Sequence, residues 1–125
     1  MIFVFDTDVL IDILRDKEKT ILQVEEWSDK ADVLACSVIT IAEIFTGMRK
    51  GEEKKTRELL DSLTKLPLTE ELAEIGGQLK NTTKSHQLFL DDCLIAATAL
   101  GHNATLFTKN TKHYPFKGLK VHAIR

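Results

Sequence analysis

The feature that most constrains the fold is a short apolar run near the start of the chain that ends in two carboxylates. Residues 2–5, Ile-Phe-Val-Phe, are followed directly by Asp6 and, one residue further on, by Asp8. A run this short and this rich in strand-forming residues is typical of a strand buried on both faces, as in parallel sheets. Ligands of open α/β sheets bind outside the carboxyl ends of the strands, which is where both acids would lie.

Two carboxylates this close together repel each other unless something compensates their charge. At a separation of about 4 Å and an effective dielectric constant near 20, two like charges repel by about 4 kcal/mol. That repulsion is a large part of the roughly 5–15 kcal/mol that stabilises a small domain. Asp6 and Asp8 therefore predict a cation, a proton or a basic partner at this strand end.

Segments with strand character alternate with segments of helical periodicity along the rest of the chain. This alternation indicates βαβ crossovers and a mostly parallel sheet covered by helices on both faces. The sequence thus predicts an α/β fold, a three-layer α/β/α sandwich with a sheet of four to five strands, formed by one domain over residues 1–125. The predicted later strands are 33–36, 66–68, 104–108 and 119–123; the predicted helices are 8–15, 18–28, 38–50, 52–63, 70–81 and 90–100; residues 85–87 are a predicted loop.

The charge is unevenly distributed along the chain. The net charge of −2 argues against a large basic surface for nucleic acid. Residues 93–125, however, contain no Asp or Glu and carry five basic side chains, so residues 1–92 carry a net charge of −7. A basic C-terminal part facing an acidic cluster suits an anionic substrate held near a bound metal, and a solvated basic face is an equally good interpretation.

Several classes of protein are excluded by motif and composition. No apolar stretch approaches the roughly 20 residues of a membrane span. The first apolar run lacks the preceding basic residues of a signal peptide, so we expect a cytoplasmic location without membrane association. The two cysteines, Cys36 and Cys93, and the four histidines lack zinc-type spacing, and the cysteines are predicted to be buried. No glycine loop of a nucleotide-binding type occurs.

Further polar residues stand where the predicted fold could bring them towards the first strand. Glu43 lies in a helix among apolar neighbours, Asp91 and Asp92 open another helix, and Asn110 follows the fourth strand. Each has an ordinary explanation. Glu43 could belong to the solvated face of its helix, and Asn110 could be a turn residue. Asp91 and Asp92 could reflect the preference of about 0.3–1 kcal/mol for an acid in the first helical turn. Only their convergence at one edge of the sheet would be unusual.

Four motifs in a fixed order resemble those of the PIN-domain ribonucleases, and more narrowly the VapC-type toxins of prokaryotic toxin–antitoxin pairs. They are FDTDVLI at 5–11, SVITIAEIFTGMRK at 37–50, DCLIAATAL at 92–100 and LFTKNTKHYPFKGLKV at 106–121. Together they span most of the chain. The resemblance implies a PIN-like domain, a metal-dependent endoribonuclease activity, an RNA substrate, a cognate VapB-type antitoxin and a homodimer.

The resemblance also assigns the acids. It makes Asp6, Glu43 and Asp92 the catalytic residues, places the fourth acidic position of wider PIN domains on Asn110, and places Asp8 where this branch usually has Asn. Hard oxygen ligands without His or Cys suit Mg²⁺ or Mn²⁺. We expect Asp6 and Asp92 to be direct ligands, Glu43 to bind the metal directly or through water, and Asp8 to be a weaker candidate.

The substrate would be contacted by residues that follow the fourth strand. The candidates are Thr108, Lys109 and Asn110, with Thr108 able to orient the phosphate or a metal-bound water. Lys109, together with Lys112 and His113, is a possible phosphate contact or simply a loop charge. Asp91 is expected to point away from the site.

Two alternatives remain open from the sequence. In a haloacid-dehalogenase-like phosphatase, Asp6 would be the nucleophile and Asp8 the general acid and base. Residues 9–11, Val-Leu-Ile, stand where that motif has small residues, and the pair Asp91 and Asp92 opens a helix instead of following a strand. In the second alternative the acids are catalytically degenerate and residues 1–60 form only a docking surface for an antitoxin.

Overall fold

The computed structural model describes residues 1–84 and 87–125 and arranges them around one parallel sheet of five strands. The strand order is β3-β2-β1-β4-β5, so the acid-ended first strand lies at the centre of the sheet. All four neighbouring pairs are parallel, which confirms the predicted sheet. The strands are β1 Ile2–Phe5, β2 Val33–Ser37, β3 Thr64–Leu66, β4 Thr105–Thr108 and β5 Lys120–Ala123.

Helices cover both faces of the sheet, and the predicted α/β/α sandwich is confirmed. They are α1 Thr7–Leu14, α2 Glu18–Ser28, α3 Val38–Gly47, α4 Glu53–Asp61, α5 Glu70–Thr82 and α6 Leu90–Gly101, with a short 3₁₀ helix, η1, at Thr111–His113. Each of the six α-helices begins and ends within three residues of its predicted bounds, whereas the 3₁₀ helix was not predicted. Within residues 1–84 and 87–125, no helix is both long enough and apolar enough to cross a membrane.

The central strand joins the two halves of the core. Val4 belongs to the apolar cluster under α5 and α6, whereas Phe3 and Phe5 point to the other face and pack with residues of α1 and α4. All three side chains are at most 3 % exposed, and burial of each contributes about 1.5–3 kcal/mol. Because β1 is held on both faces, the position at which it ends, and therefore that of Asp6, is fixed.

The structure corrects the third strand and the end of α3. The predicted strand 66–68 lies instead at Thr64–Leu66, because Pro67 has no N–H with which to continue the ladder. Helix α3 ends at Gly47, since Met48 is already extended, and so does not reach residue 50. Of the predicted loop 85–87, residues 85 and 86 lie outside the described residues.

The two cysteines are free and buried, as predicted. Cys36 lies in β2 and Cys93 in α6, and neither side chain is exposed. Burial raises the pKa of the Cys36 thiol to about 11, so it is a small apolar group at neutral pH.

Candidate active site

The predicted acids meet in one open cavity of about 300 Å³ beyond the carboxyl ends of β1 and β4. The position agrees with the rule for ligand sites in open parallel sheets. Four separate parts of the chain contribute: the β1–α1 junction, α3, the start of α6 and the segment after β4. The polar lining comprises five carboxylates, those of Asp6, Asp8, Glu43, Asp91 and Asp92, together with Asn110, His113 and Thr7.

Asp6 is the most firmly held of these acids. Its backbone N–H extends the β1–β4 ladder by donating to the carbonyl of Phe107 at 2.9 Å. Its Oδ1 caps α1 by accepting from the N–H of Thr7 at 2.8 Å. Its Oδ2 accepts from the hydroxyls of Thr108 at 2.7 Å and Tyr114 at 3.0 Å. With three donors and 6 % exposure, this carboxylate has a fixed orientation before any ligand binds.

Asp8, in the first turn of α1, is satisfied on one oxygen only. Its Oδ2 accepts from the backbone N–H of Lys109 at 3.1 Å and from Nδ2 of Asn110 at 2.9 Å. Its Oδ1 is buried and has no hydrogen-bond partner in the described part of the chain. Burial, followed by the charge of Asp6, raises the pKa of Asp8 to about 6. One carboxylate oxygen thus lacks the compensation that a cation or donor would give.

Glu43 is placed by α3 and by a threonine of α1. Helix α3 begins at its cap Ser37, whose Oγ accepts from the N–H of Thr40 at 3.1 Å. Further along the helix, Glu43 accepts at Oε1 from the hydroxyl of Thr7 at 2.6 Å. Burial, followed by a hydrogen bond with Asp91, raises the pKa of Glu43 to about 7. A neighbouring carboxyl group without a counter-charge favours the protonated form of Glu43.

The first turn of α6 contributes two acids and corrects one expectation. The expectation that Asp91 points away is wrong: its side chain lines the same cavity as Glu43 and contributes to the raised pKa of Glu43. Asp92 lies 3.3 Å from Nδ1 of His113 through Oδ2 and accepts from the hydroxyl of Tyr114 at 3.3 Å through Oδ1. Burial, followed by the charges of Asp91 and Asp6, raises the pKa of Asp92 to about 6.

Tyr114 is one of the residues of this site that the sequence did not reveal, as are Thr7 and Phe89. Its side chain is 4 % exposed and packs in the core, while its hydroxyl contacts Oδ2 of Asp6 and Oδ1 of Asp92. Burial and the charge of Asp6 raise the pKa of Tyr114 far above its usual range. A buried tyrosine hydroxyl needs a polar partner. This rule indicates from the sequence that Tyr114, if buried, contacts a polar group, but it does not identify that group.

The predicted substrate contacts separate into two groups. Asn110 lines the cavity. Thr108 is fully buried against Asp6, and the ammonium of Lys109 pairs with Asp12 at 2.8 Å. Although burial alone would raise it, the hydrogen bond from Lys109 lowers the pKa of Asp12. Lys109 thereby ties the segment after β4 to α1.

The residues present fit a divalent cation. The donors are carboxylate and amide oxygens, which hard cations prefer. Asp8 retains a buried oxygen without a partner, and the pKa values of Asp8, Glu43 and Asp92 are all raised. No three Asp, Glu, His or Cys side chains in 1–84 and 87–125 already form a metal cage. Mg²⁺ does not require one, because it commonly binds one or two carboxylates and keeps several waters.

A parallel sheet with an acid-lined cavity beyond its central strands defines the class of protein: it is the arrangement expected of a PIN domain. The PIN domain family matches residues 3–119 of the chain. The chain therefore belongs to the PIN domain family.

Known relatives match the chain over most of its length and of their own. Ribonuclease VapC10 of Mycobacterium tuberculosis is 38 % identical over 121 residues, which cover 92 % of this chain and 88 % of the relative. A chain of a toxin–antitoxin complex from Klebsiella pneumoniae superposes with a TM-score of 0.81 at 30 % identity, over 98 % and 97 % of the two chains. A chain of the VapBC-1 structure from nontypeable Haemophilus influenzae superposes with a TM-score of 0.83 at 25 % identity, over 98 % of this chain and 98 % of that chain.

Proposed function

We propose that this chain is a metal-dependent endoribonuclease that hydrolyses RNA phosphodiester bonds and serves as the toxin of a type II toxin–antitoxin pair. The observation that carries the proposal is the convergence of five carboxylates in one open cavity of a PIN domain. The names of the relatives support the substrate and the partner, since VapC10 is a ribonuclease and the Klebsiella chain comes from a toxin–antitoxin complex.

The proposed cofactor is Mg²⁺ or Mn²⁺. Asp6 and Asp92 would hold it directly, Glu43 directly or through water, and Asp8 through its unpartnered Oδ1. When bound, such an ion polarises the phosphate and lowers the pKa of a coordinated water. Asp6, Glu43 and Asp92 are the proposed catalytic residues.

The surrounding side chains act by orienting these acids. The hydroxyl of Thr7 holds Glu43, and that of Thr108 holds Asp6. Asn110 keeps Asp8 turned towards the segment after β4. We propose that Asn110, at the cavity wall, also contacts RNA, and that Thr108 and Lys109 affect substrate binding through the positions of Asp6 and of this segment.

The proposed assembly follows the relatives. A VapB-type antitoxin would cover the cavity and could place a basic side chain among its acids. A homodimer, a single domain over residues 1–125 and a cytoplasmic location complete the proposal. Co-expression with the product of a short neighbouring reading frame, followed by co-purification and measurement of ribonuclease inhibition, tests the antitoxin.

The activity is tested by incubating purified protein with total RNA in Mg²⁺, in Mn²⁺ and in EDTA. We expect internal cuts with either metal and none in EDTA. Cleavage that persists in EDTA contradicts the metal requirement. Intact RNA accompanied by phosphate release from small phosphomonoesters would support the phosphatase alternative, and intact RNA with tight antitoxin binding would support a degenerate toxin.

A further inference from the structure

The rim of the acid-lined cavity carries an exposed aromatic side chain that none of the roles above uses. Phe89 immediately precedes α6 and is 59 % exposed, although it lines the same cavity as Asp92 and His113. A single exposed apolar side chain is common on protein surfaces, and it is the position of Phe89 at the acid-lined cavity that sets it apart. Phe45, also exposed, does not line this cavity.

The backbone around Phe89 is fixed while its ring is open. The first turn of α6 is hydrogen-bonded to the Phe89 backbone: the N–H of Cys93 donates to the Phe89 carbonyl at 3.2 Å. On the preceding side, Leu88 is buried in the core and its carbonyl accepts from Nζ of Lys80 at 2.8 Å. The backbone therefore holds Phe89 at a defined place beside the cavity.

The ring of His113 stands beside that of Phe89. Their centroids are 6.4 Å apart and the planes meet at 69°, an edge-to-face arrangement. His113 is oriented in turn by its Nδ1, 3.3 Å from Asp92. An aromatic wall of the cavity thus adjoins an acid proposed to bind the metal, and a group resting on that wall would be next to the reacting phosphate.

The chemistry of this aromatic wall indicates which kind of ligand group can bind there. A flat, uncharged aromatic ring can stack on Phe89, whereas a second phosphate would meet the neighbouring carboxylates and be repelled. A cavity of about 300 Å³ is at the lower end of the roughly 300–1,000 Å³ of small-ligand pockets, so it suits one such group. In duplex RNA the faces of the bases are hidden in the helix, whereas an unpaired base can be splayed out and stacked.

We infer that Phe89 is a stacking platform for an unpaired nucleobase next to the phosphate that is cut. His113 supports this platform by packing against the ring of Phe89. The inference rests on the proposed ribonuclease function and adds Phe89 to the residues that would position RNA beside the acids. Because every base has a π-face, stacking here favours unpaired RNA without requiring a particular base.

The test measures binding of a single-stranded RNA oligonucleotide to Glu43→Gln protein, in which cleavage is impaired and the wall is intact. Adding Phe89→Ala should weaken binding by roughly 5- to 150-fold, the loss expected for one stacked base. Phe89→Trp should bind as tightly as the parent or more tightly. The matched control is Phe45→Ala, which removes an exposed ring outside the cavity and should change binding less than about 2-fold.

A second RNA oligonucleotide separates stacking from other effects of the Phe89 ring. With abasic nucleotides around the cut site, the parent protein and its Phe89→Ala variant should bind equally weakly. Equal binding of normal RNA by both proteins overturns the inference and leaves the ribonuclease proposal standing. A change from dimer to monomer on Phe89→Ala, with RNA affinity unchanged, would also overturn it and would make this ring part of an interface between copies. Wild-type protein that neither binds nor cuts RNA would overturn both proposals.

Discussion

Asp6 and Asp8 are separated by one residue, yet their surroundings give them different properties. Both oxygens of Asp6 accept hydrogen bonds, from three donors in all. Asp8 accepts on one oxygen, while the other is buried without a partner in the described chain. Burial, followed by the charge of Asp6, raises the pKa of Asp8 to about 6, which agrees with the repulsion expected from the sequence. Asp6 therefore serves as a structural cap as well as a proposed ligand.

Amide substitutions should separate these two roles. From charge alone, Asp6→Asn would be expected to melt at or above the metal-free wild type. The amide has only one acceptor oxygen, however, so either the N–H of Thr7 or the hydroxyls of Thr108 and Tyr114 lose their acceptor. In EDTA we now expect Asp6→Asn to lose about 1–3 kcal/mol. Asp8→Asn should melt at or above wild type, because its amide oxygen can keep the bonds from Lys109 and Asn110 while the charge is lost. Thermal unfolding of both variants measures this, and the reverse order would contradict it.

Tyr114→Phe tests whether the hydroxyl holds the acids of two elements together. The substitution keeps the buried ring and removes the donor to Asp6 and Asp92. We expect a loss of about 1.5–3 kcal/mol without metal and a smaller loss in saturating Mn²⁺, because a cation would then hold the same carboxylates. Denaturant unfolding in EDTA and in Mn²⁺ gives the comparison. An equal loss in both conditions would mean that the hydroxyl has only a structural role.

At the scale of elements, the sequence predicted the site because parallel strands end at one edge. Because of that rule, Asp6 was expected beside the segment after β4. The resemblance to PIN-domain ribonucleases added the acids of α3 and α6 to the predicted site. The rest depended on tertiary contacts with no local pattern. Asp91 lines the cavity together with Glu43 of α3, and Tyr114 reaches Asp6 across 108 residues of chain. The third strand was misplaced by two residues because three residues at a sheet edge give almost no periodic signal.

The packing of α5 on α6 supplies a test with an internal control. A Cβ on Gly76 would lie 2.7 Å from Leu94 Cδ2 and 3.3 Å from the Cys93 carbonyl, whereas one on Gly77 meets nothing within 4 Å. Gly77→Ala should therefore stabilise the protein by about 0.5–1 kcal/mol through helix propensity. Gly76→Ala should be destabilising relative to Gly77→Ala by about 1–3 kcal/mol, because it pushes α6 away. Equal effects in urea unfolding would contradict this packing.

At the scale of the whole molecule, the fold brings together acids whose mutual repulsion a bound proton or a cation relieves. Raised pKa values of about 6 for Asp8 and Asp92 and about 7 for Glu43 mean that the folded state binds protons that the unfolded state has released. Stability of the metal-free protein should consequently fall as pH rises from about 4.5 to 7.

The corresponding experiment is thermal unfolding in EDTA at pH 5.5 and pH 8. We expect the higher melting temperature at pH 5.5, and the largest gain from Mg²⁺ or Mn²⁺ at pH 8, where the carboxylates are charged. Asp8→Asn should show a weaker dependence on pH, since one of the titrating acids is gone. Melting temperatures that rise from pH 5.5 to 8 in EDTA would mean that the acids do not repel in the folded state.

The central claim, that the acid-lined cavity cuts RNA with a divalent ion, is tested most directly by the initial rate of RNA cleavage in Mn²⁺ for two matched variants. Asp92→Asn changes a proposed ligand, and Asp61→Asn makes the same chemical change at an exposed position near Lys65, away from the cavity. With both proteins shown to be folded by circular dichroism, we predict a loss of more than about 100-fold for Asp92→Asn and a wild-type rate for Asp61→Asn. A folded Asp92→Asn protein that cuts RNA at the wild-type rate would contradict the account.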